Sequence, residues 1–403
     1  MPSPLVGLAS LSLGVWVYLT FLHGRFWRAD QRLDEVEPLR PGRPPSPKVM
    51  AVVPARNEAD VIERSIGSLL GQEYAGEFEV VLVDDHSEDD TGEVARRLAA
   101  SHPRGDRLTV IDGEPMPPGW VGKMWAVHTG VAAAARVSPD AEYLLLTDAD
   151  VEHDPGNLSR LVSKAESSGL DLVSLMVRLH CKSGWERLLI PAFVYFFQKL
   201  YPFPRINDPN SRTTGAAGGC MLVRREALKR AGGIESVRSE IIDDCAIGTA
   251  IKAGGPVWVG VTESEYSFRP YQGLHDIWAM VARSAYTQLH YSPVLLAGTA
   301  VGLVLIYLLP PLVLIGWPLH GDAAAALLAA ATWALMAWTF LPTLQLYRLS
   351  PLRAWALPVA GALYLCMTVD SARLHWLGSG AYWKGRAGAG NSDASAPTRV
   401  PPR

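Results

Sequence analysis

The feature that most constrains the fold is the distribution of charge, because the two ends of the chain carry long stretches with almost none. Residues 4–22 contain no charged side chain and have about the 20-residue length that a helix needs to cross a bilayer. The basic residues Arg25, Arg28 and Arg32 follow this stretch, whereas a cleavable signal peptide would carry them in front of it. We therefore predict a retained transmembrane anchor, residues 1–24, whose C-terminal end lies in the cytoplasm.

A second apolar block lies within residues 293–375 and predicts two or three further transmembrane helices. Its apolar segments are Val294–Trp317, Ala323–Leu346 and Ala354–Val369. Arg348 and Arg353 place the divider between the last two segments in the cytoplasm. The last segment is short and contains proline and glycine, so a third span and a re-entrant or interfacial helix are both compatible with it.

The composition fits a membrane protein that also carries a globular domain. Hydrophobic residues make up 49% of the 403 residues and charged residues 19%, which excludes a disordered chain. The formal net charge of −3 gives no basic field that would attract nucleic acid, so no nucleic-acid partner is expected. The four cysteines contain no CxxC pair, which argues against a zinc site or a disulfide framework. We predict a proline-rich linker over residues 25–47, a globular domain over 48–292 and a disordered tail over 376–403.

Within the globular domain, short apolar runs alternate with stretches of helical periodicity. The predicted strands are Lys48–Pro54, Phe78–Val83, Leu108–Ile111 and Tyr143–Thr147. Strands separated by helices of ten or more residues indicate an α/β domain with a mostly parallel, Rossmann-like sheet. In such sheets, ligands bind beyond the carboxyl ends of the strands. The loops after the first, second and fourth predicted strands are therefore the candidate site.

Acidic side chains follow these strand ends. Glu58 comes shortly after the first strand, Asp85 after the second, and Asp148 and Asp150 after the fourth. Carboxylates brought together in this way repel each other unless a cation or hydrogen-bond donors balance them. A divalent metal, Mg²⁺ or Mn²⁺, that bridges a diphosphate would do so, since Mg²⁺ is commonly held by one or two carboxylates and phosphate oxygens. The chain contains no P-loop or GxGxxG motif, which argues against an ATPase or a dinucleotide enzyme.

These motifs resemble a known family. The segments VVPARNEADVIERSIGSLL, VVLVDDHSEDDT and LLLTDAD are similar to the inverting family 2 glycosyltransferases, whose domain has the GT-A nucleotide-sugar-binding fold. The resemblance covers residue 48 to about 290. Further segments resemble the hopene-associated glycosyltransferases, distant relatives of ceramide glucosyltransferases; they are GWVGKMWA, DLVSLMV, GGCMLVRR, IDDCAIG and MVARSAYTQL.

The resemblance implies a nucleotide-sugar donor, a UDP-sugar, in this cleft. Asp85 lies where the family's aspartate recognises the nucleotide base. Glu58 and the backbone of Pro54, Ala55 and Arg56 would line the same cleft. For Glu58 the alternative is an ordinary charge at the start of a helix.

The resemblance also assigns the diphosphate end of the donor. Asp148 and Asp150 match the family's DxD pair, in which Asp150 ligates the metal and Asp148 contacts ribose or metal. Lys123 opens a helix after a glycine-containing loop and would meet the phosphates. An exposed surface lysine is the alternative.

An acidic pair later in the chain is the candidate catalytic base. Asp243 and Asp244 stand where the family carries an acidic pair whose aspartate is the base, and we assign the base to Asp244 with Asp243 as the alternative. Arg283 matches the arginine of the family's QxxRW motif, but Met280 and Ser284 replace its glutamine and tryptophan. That departure argues against processive synthesis and leaves Arg283 as a cation for the diphosphate or as an interfacial arginine.

The acceptor is expected to be a lipid. The aromatic, amphipathic stretch near residues 185–203 predicts an interfacial helix that brings the acceptor site to the membrane, with a core helix as the alternative. A hopanoid, terpenoid or ceramide-like lipid is implied by the resemblance alone. The expected location is the cell (inner) membrane, with the catalytic domain in the cytoplasm. A polyprenyl-phosphate sugar synthase and a catalytically silent membrane scaffold are the alternative functions.

Overall fold

The structure is a computed structural model that describes residues 3–39 and 46–378, together with the strand backbone at Tyr382–Trp383 and Arg386–Ala387. These last two strands pair antiparallel with each other. Residues 40–45 of the predicted linker and most of the predicted disordered tail lie outside the described residues.

The centre of the globular domain is an eight-stranded sheet. Its strands are β1 (Val49–Ala55), β2 (Phe78–Asp84), β3 (Leu108–Asp112), β4 (Tyr143–Thr147), β5 (Val151–Glu152), β6 (Leu172–Arg178), β7 (Cys220–Arg224) and β8 (Val257–Ser267). The strand order is β3-β2-β1-β4-β7-β6-β8-β5. The four runs predicted as strands are β1 to β4, and all their mutual pairings are parallel, as predicted. Every residue of β1 and β4 is buried, which explains why both appear in the sequence as continuous apolar runs.

The prediction of a mostly parallel sheet is wrong for the other half, since the sheet is mixed. β7 runs antiparallel to both of its neighbours, β4 and β6, and β5 runs antiparallel to β8. Only β6 and β8 pair in parallel in this half. A fully buried strand has the same apolar sequence in either direction, so the pattern of β7 does not encode its orientation.

Helices cover both faces of this sheet. The helices of the domain are Ile62–Leu70, Thr91–Ser101, Gly122–Val137, Asn157–Ser168, Gly184–Leu200, Phe203–Ile206, Arg225–Arg230, Asp243–Lys252 and Leu274–Ala282. Gly130 lies against the side chains of Val52 and Val83, where a Cβ would collide with Val52. This glycine therefore lets the helix Gly122–Val137 lie directly on β1 and β2.

Four helices among the described residues are long and apolar enough to cross a membrane. They are the first (Pro4–Leu22), second (Pro293–Ile315), third (Ala323–Leu346) and fourth (Pro351–Trp376) apolar helices. The fourth has 26 residues and extends beyond both ends of the predicted segment 354–369. It is thus long enough to span, and the C-terminal block holds three such helices rather than two.

The helix Gly184–Leu200 packs against the apolar helices. Ser183 and Glu186 form a capping box at its start. Tyr195 hydrogen-bonds Thr339 of the third apolar helix at 2.8 Å, and Tyr364 of the fourth donates to the carbonyl of Leu189 at 3.0 Å. This helix therefore joins the sheet domain to the apolar helices. Its interfacial placement stays a prediction.

Polar contacts mark the two ends of the apolar bundle. Ser3, before the first apolar helix, hydrogen-bonds Asp322, which precedes the third. At the other end, Glu263 of β8 pairs with Arg32 at 2.8 Å and with Arg348 at 3.3 Å. The segment after the first helix and the turn after the third therefore lie beside the sheet domain together.

Candidate functional site

The ends of β1 and β2 form one wall of the candidate site. The backbone N–H of Asp85 donates to the carbonyl of Ala55 at 2.8 Å. The guanidinium of Arg56 donates to the carbonyls of Asp85 and His86 at 2.6 and 2.7 Å. Pro54 and Ala55 are buried within β1, and the side chain of Asp85 is fully buried. Arg56 thus braces the two strand ends against each other, and the predicted base-recognition residues lie together.

Lys123 connects two carboxylates that are far apart in sequence. Its Nζ lies 2.9 Å from Oδ1 of Asp148 and 3.0 Å from Oδ2 of Asp243. Burial lowers the pKa of Lys123, but the charges of these two carboxylates outweigh burial and raise the pKa above its ordinary value. Lys123 is therefore a fixed ammonium between these two carboxylates, unlike an exposed surface lysine, and its contact with a phosphate stays a prediction.

Asp150 is held by residues at the end of β8. Ser267 Oγ donates to Asp150 Oδ2 at 2.9 Å, and Arg269 Nε lies 3.6 Å from the same oxygen. Arg269 also forms an ion pair with Glu58. Glu58, nearly buried, thus belongs to the site's charge network rather than being a simple helix-terminal charge.

Arg269 was missed by the sequence analysis. It follows the last strand, whose pairing beside β6 and β5 brings it to the DxD loop. The available signal was a basic residue shortly after an apolar run, but the sequence did not predict which strands lie beside β8.

The acidic pair lies in the first turn of the helix Asp243–Lys252. Asp244 accepts hydrogen bonds from the backbone N–H of Cys245 at 2.7 Å and of Gly218 at 2.9 Å. Burial, and then the neighbouring charge of Asp243, raise the pKa of Asp244 to about 7, against the lowering effect of those N–H groups and of Lys123. Asp244 can therefore accept and release a proton near neutral pH, which a general base requires.

Tyr201 and Gln288 form a further wall beside Asp244, which the sequence analysis did not identify. Tyr201 Oη donates to Gln288 Oε1 at 2.6 Å. Burial raises the pKa of Tyr201, and the adjacent Cys245 and Asp244 raise it further. Tyr201 directly follows the helix Gly184–Leu200, so this wall lies where the sheet domain meets the apolar helices.

Arg283 lies at the end of the helix Leu274–Ala282 with an exposed side chain. Burial and Asp150 raise the pKa of Tyr271 to about 12, while Arg283 and Arg269 act in the opposite direction. Arg283 is therefore within electrostatic range of the residues around Asp150. Its contact with a diphosphate stays a prediction.

The residues fit a divalent cation only if a substrate completes the shell. Among residues 3–39 and 46–378, no group of three or more histidine, cysteine, aspartate or glutamate side chains is arranged to hold a metal ion alone. Asp150 and Asp148 would supply hard oxygen ligands at one strand end. This donor set suits a cation that takes its other ligands from phosphate and water.

Residues 50–232 match the family model of Glycosyl transferase family 2. The chain therefore carries a family 2 glycosyltransferase domain, and the class predicted from the motifs is confirmed at this level.

The chain is similar to several named glycosyltransferases over part of their length. It is 34% identical over 161 residues to "Succinoglycan biosynthesis protein ExoO" of Rhizobium meliloti (strain 1021), covering 37% of this chain and 42% of that protein. It is 28% identical over 183 residues to an undecaprenyl-phosphate 4-deoxy-4-formamido-L-arabinose transferase of Pseudomonas savastanoi pv. phaseolicola, covering 43% and 46%. The matched part of the chain thus spans less than half the length of these curated relatives.

Among solved structures, the chain resembles a mannosyltransferase of Pyrobaculum calidifontis in complex with GDP-Man and Mn²⁺. The TM-score is 0.51 at 21% sequence identity, and the match covers 92% of this chain and 99% of that one. This likeness shows a GT-A-like fold with a mixed sheet.

Proposed function

We propose that this protein is a membrane-bound, non-processive inverting glycosyltransferase that moves a sugar from a nucleoside-diphosphate sugar to a hydroxyl group of a lipid. The observation that carries the proposal is the position of Asp244, a carboxylate with a pKa near 7 that Lys123 and Asp243 connect to the DxD loop. The likeness to a mannosyltransferase in complex with GDP-Man and Mn²⁺ supports the same class of donor and metal.

The residues support a single displacement. Asp244 accepts the proton of the acceptor hydroxyl while the oxygen of that hydroxyl bonds to the anomeric carbon. The bond from the anomeric carbon to the diphosphate breaks, and its electron pair leaves with the diphosphate. Lys123 holds positive charge where the diphosphate leaves. Asp150 and Asp148 would hold a divalent cation, which supplies further charge stabilisation to the leaving group. Asp85, with the Pro54–Arg56 backbone, would hold the nucleotide base.

The charges around Asp244 favour a neutral hydroxyl over a phosphate as acceptor. Lys123 lowers the pKa of Asp244, but its ammonium is already paired with Asp148 and Asp243. A phosphate acceptor would bring further negative charge against two carboxylates and needs no proton acceptor. An alcohol is neutral, and its attack becomes favourable when a base takes its proton.

The four apolar helices support a lipid as the carrier of that hydroxyl. The wall of Tyr201 and Gln288 lies at the junction of the site and the apolar helices, so an acceptor held in the membrane could reach Asp244. The sequence resemblance to hopene-associated glycosyltransferases, distant relatives of ceramide glucosyltransferases, favours a hopanoid, another terpenoid or a ceramide-like lipid.

A cytoplasmic orientation in the cell (inner) membrane follows from the donor. Nucleotide sugars are made in the cytoplasm, and Arg32 and Arg348 lie on the sheet side of the apolar helices. Reporters fused after Asp34 or after Arg348 should therefore report the cytoplasm, and one fused at His320 the opposite side. An outward-facing reporter after Asp34 would contradict the donor assignment.

The function is tested with the purified full-length chain in lipid nanodiscs. UDP- and GDP-sugars are each supplied with Mg²⁺ or Mn²⁺ and a hopanoid or ceramide acceptor, and the release of nucleoside diphosphate is measured. We expect release that depends on acceptor and metal in the wild type and is lost in Asp244→Asn. Absence of release with every pair, together with no donor binding, would favour the silent scaffold.

A polyprenyl-phosphate sugar synthase is the second candidate, because one of the relatives is named an undecaprenyl-phosphate sugar transferase. The two candidates differ in the bond formed. A sugar linked to a lipid phosphate is released by mild acid, whereas a glycoside of a lipid alcohol withstands it. Transfer to undecaprenyl phosphate in preference to lipid alcohols, with an acid-labile product, would overturn the hydroxyl acceptor.

A further inference from the structure

A fully buried histidine lies beneath the loop that carries Asp148 and Asp150. After Thr147, the last residue of β4, the chain passes through this loop and the short strand β5 (Val151–Glu152), which pairs with β8, and then reaches His153. The side chains of His153 and of Glu265 in β8 have no exposed surface, and His153 Nδ1 lies 2.9 Å from Glu265 Oε2. Neither residue can touch a substrate, so their effect on the site must pass through the loop.

The hydrogen bonds define which nitrogen of His153 carries a proton. Thr147 Oγ1 donates to the carbonyl of Gly219 at 2.8 Å, so its hydrogen is already used. His153 Nε2 lies 3.0 Å from the same oxygen and must therefore be the donor. The opposite nitrogen, Nδ1, faces Glu265 and the side-chain amide of Asn157 at 3.1 Å. The imidazole thus connects the first residue of the loop to β8.

Glu265 and its strand hold the remainder of the loop. Glu265 Oε1 accepts from the backbone N–H of Asp154 at 3.3 Å, just after His153. Ser267, two residues along β8, donates to the carboxylate of Asp150 at 2.9 Å. The loop is therefore fixed at its start through His153, at its end through Glu265, and at its second aspartate through Ser267.

We propose that His153 is a positioning residue: it connects Thr147 to Glu265 across the base of the loop and so fixes the separation of the Asp148 and Asp150 carboxylates for a divalent cation. The inference rests on the proposed function, since it takes these aspartates as the cation's protein ligands. A cation bound by two carboxylates and a diphosphate depends on their spacing, because it has few other protein ligands. Mutation of residues that support metal ligands typically weakens metal affinity by about 10- to 100-fold.

The test measures metal binding rather than turnover. Mn²⁺ is titrated into the full-length protein in detergent with UDP or GDP, and free Mn²⁺ is followed by electron paramagnetic resonance. Nucleotide affinity in the presence of EDTA is measured in parallel. We expect His153→Ala to weaken Mn²⁺ binding by about tenfold or more. The nucleotide affinity measured in EDTA should stay unchanged. His153→Gln, whose amide can still donate to Thr147, should recover part of the loss.

Two further variants control for folding. Thr147→Val removes the hydroxyl that receives the bond from His153, together with its own bond to Gly219, and should also weaken Mn²⁺ binding. Tyr143→Phe removes the bond from Tyr143 to Glu166 at the opposite end of β4 and should leave Mn²⁺ binding unchanged. If His153→Ala does not fold, Thr147→Val and His153→Gln carry the test.

The outcomes separate the inference from the proposed function. If the wild type binds no Mn²⁺ with either nucleotide, the metal part of the proposed function fails, and the inference with it. If the wild type binds Mn²⁺ and the folded variants bind it equally well, the inference alone is overturned. If the Mn²⁺ affinity and the nucleotide affinity measured in EDTA fall equally, the role of His153 is merely structural, and the inference is also overturned.

Discussion

The two halves of the sheet contribute to the site in different ways. In the half formed by β3, β2, β1 and β4, the strands are parallel, and the donor-side residues Asp85, Asp148 and Asp150 follow the strand ends directly. In the half formed by β7, β6, β8 and β5, directions are mixed, and Asp244 and Arg269 reach the site from a helix and from the segment after a long strand. In the proposed reaction, the parallel half would thus bind the donor, while the mixed half would supply the base; the mixed half also contacts the apolar helices.

The largest effect should come from Asp244, the proposed base in the mixed half. Asp244→Asn keeps the shape of the side chain but removes the proton acceptor, so turnover should fall by about 10²- to 10⁴-fold while donor affinity stays nearly unchanged. Turnover and donor binding are measured on the same protein. Asp243→Asn is the matched control. If it is the inactive variant and Asp244→Asn is not, the base is Asp243.

The next effect should come from the parallel half and change donor binding instead. Asp150→Ala removes a proposed metal ligand, so metal-dependent donor affinity should fall by about 100-fold or more while the fold survives. Ser267→Ala removes only the hydroxyl that donates to Asp150 and should cause a smaller loss. Donor titrations with Mn²⁺ and with EDTA check both. Donor affinity that is the same in either condition would contradict the metal role of Asp150.

The pH dependence of turnover should be set by Asp244, in the mixed half. Asp244 must be ionised to accept a proton, so turnover should fall as the pH drops below about 7. Asp243 raises the pKa of Asp244. The fall in turnover at acidic pH should therefore occur at lower pH in Asp243→Asn, provided that this variant retains activity. A pH–rate profile measured at saturating donor checks this. A wild-type rate that is flat between pH 5 and pH 8 would argue against Asp244 as the base.

The same shift predicts a stability effect whose sign can be worked out. The folded-state pKa lies above the ordinary value of 3.8, so the stabilising contribution of Asp244 is complete below that value and is lost as the pH rises through about 7. Asp244→Asn should therefore raise the unfolding temperature at pH 8 and not at pH 4. Thermal unfolding in detergent at the two pH values measures it.

The smallest effect on the reaction should come from substituting Glu186. This residue hydrogen-bonds the segment between β8 and the next helix. Its carboxylate accepts from His180, from the backbone N–H of Tyr271 and from two N–H groups at the helix start. Although burial would raise it, these donors lower the pKa of Glu186 to about 2. Glu186→Gln should cost about 1–3 kcal/mol of stability and leave donor affinity unchanged.

The pH dependence of this loss has the opposite sign to that of Asp244. Stability from Glu186 is present above its ordinary pKa of 4.5 and is lost as the pH falls toward about 2, so the difference between wild type and variant should narrow over that range. Glu226→Gln, an exposed first-turn glutamate, is the matched control. A constant difference down to the lowest pH would contradict the charged state of Glu186.

The two halves also differ in how far the sequence predicts them. The runs that became β1 to β4 are apolar and separated by helices, so both their existence and their direction follow from general rules for parallel sheets. The acids after their ends were found for the same reason. In the other half, the direction of β7 and the neighbours of β8 depend on long-range packing that a buried apolar run does not encode.

The contacts that were missed share this cause. Lys123 and Asp243 are 120 positions apart in sequence, and their contact depends on how the mixed half packs against the parallel half. His153 was not singled out, since nothing in the sequence shows which strand lies beside it. Its importance became visible only when Glu265 was placed beneath it.

The segment after the first apolar helix also completes the sheet. Val261 of β8 donates its N–H to the carbonyl of Gln31 at 2.8 Å and accepts from the N–H of Leu33 at 3.2 Å, while Asp34 accepts from Thr262 and Ser264. A catalytic fragment cut to begin at Lys48 would lose this cover and expose hydrogen-bonding groups along β8. Unpaired strand edges recruit other chains, so such a fragment should aggregate even though its substrate-facing residues are intact. A fragment without the first apolar helix should therefore begin near residue 30 rather than at the start of the first strand.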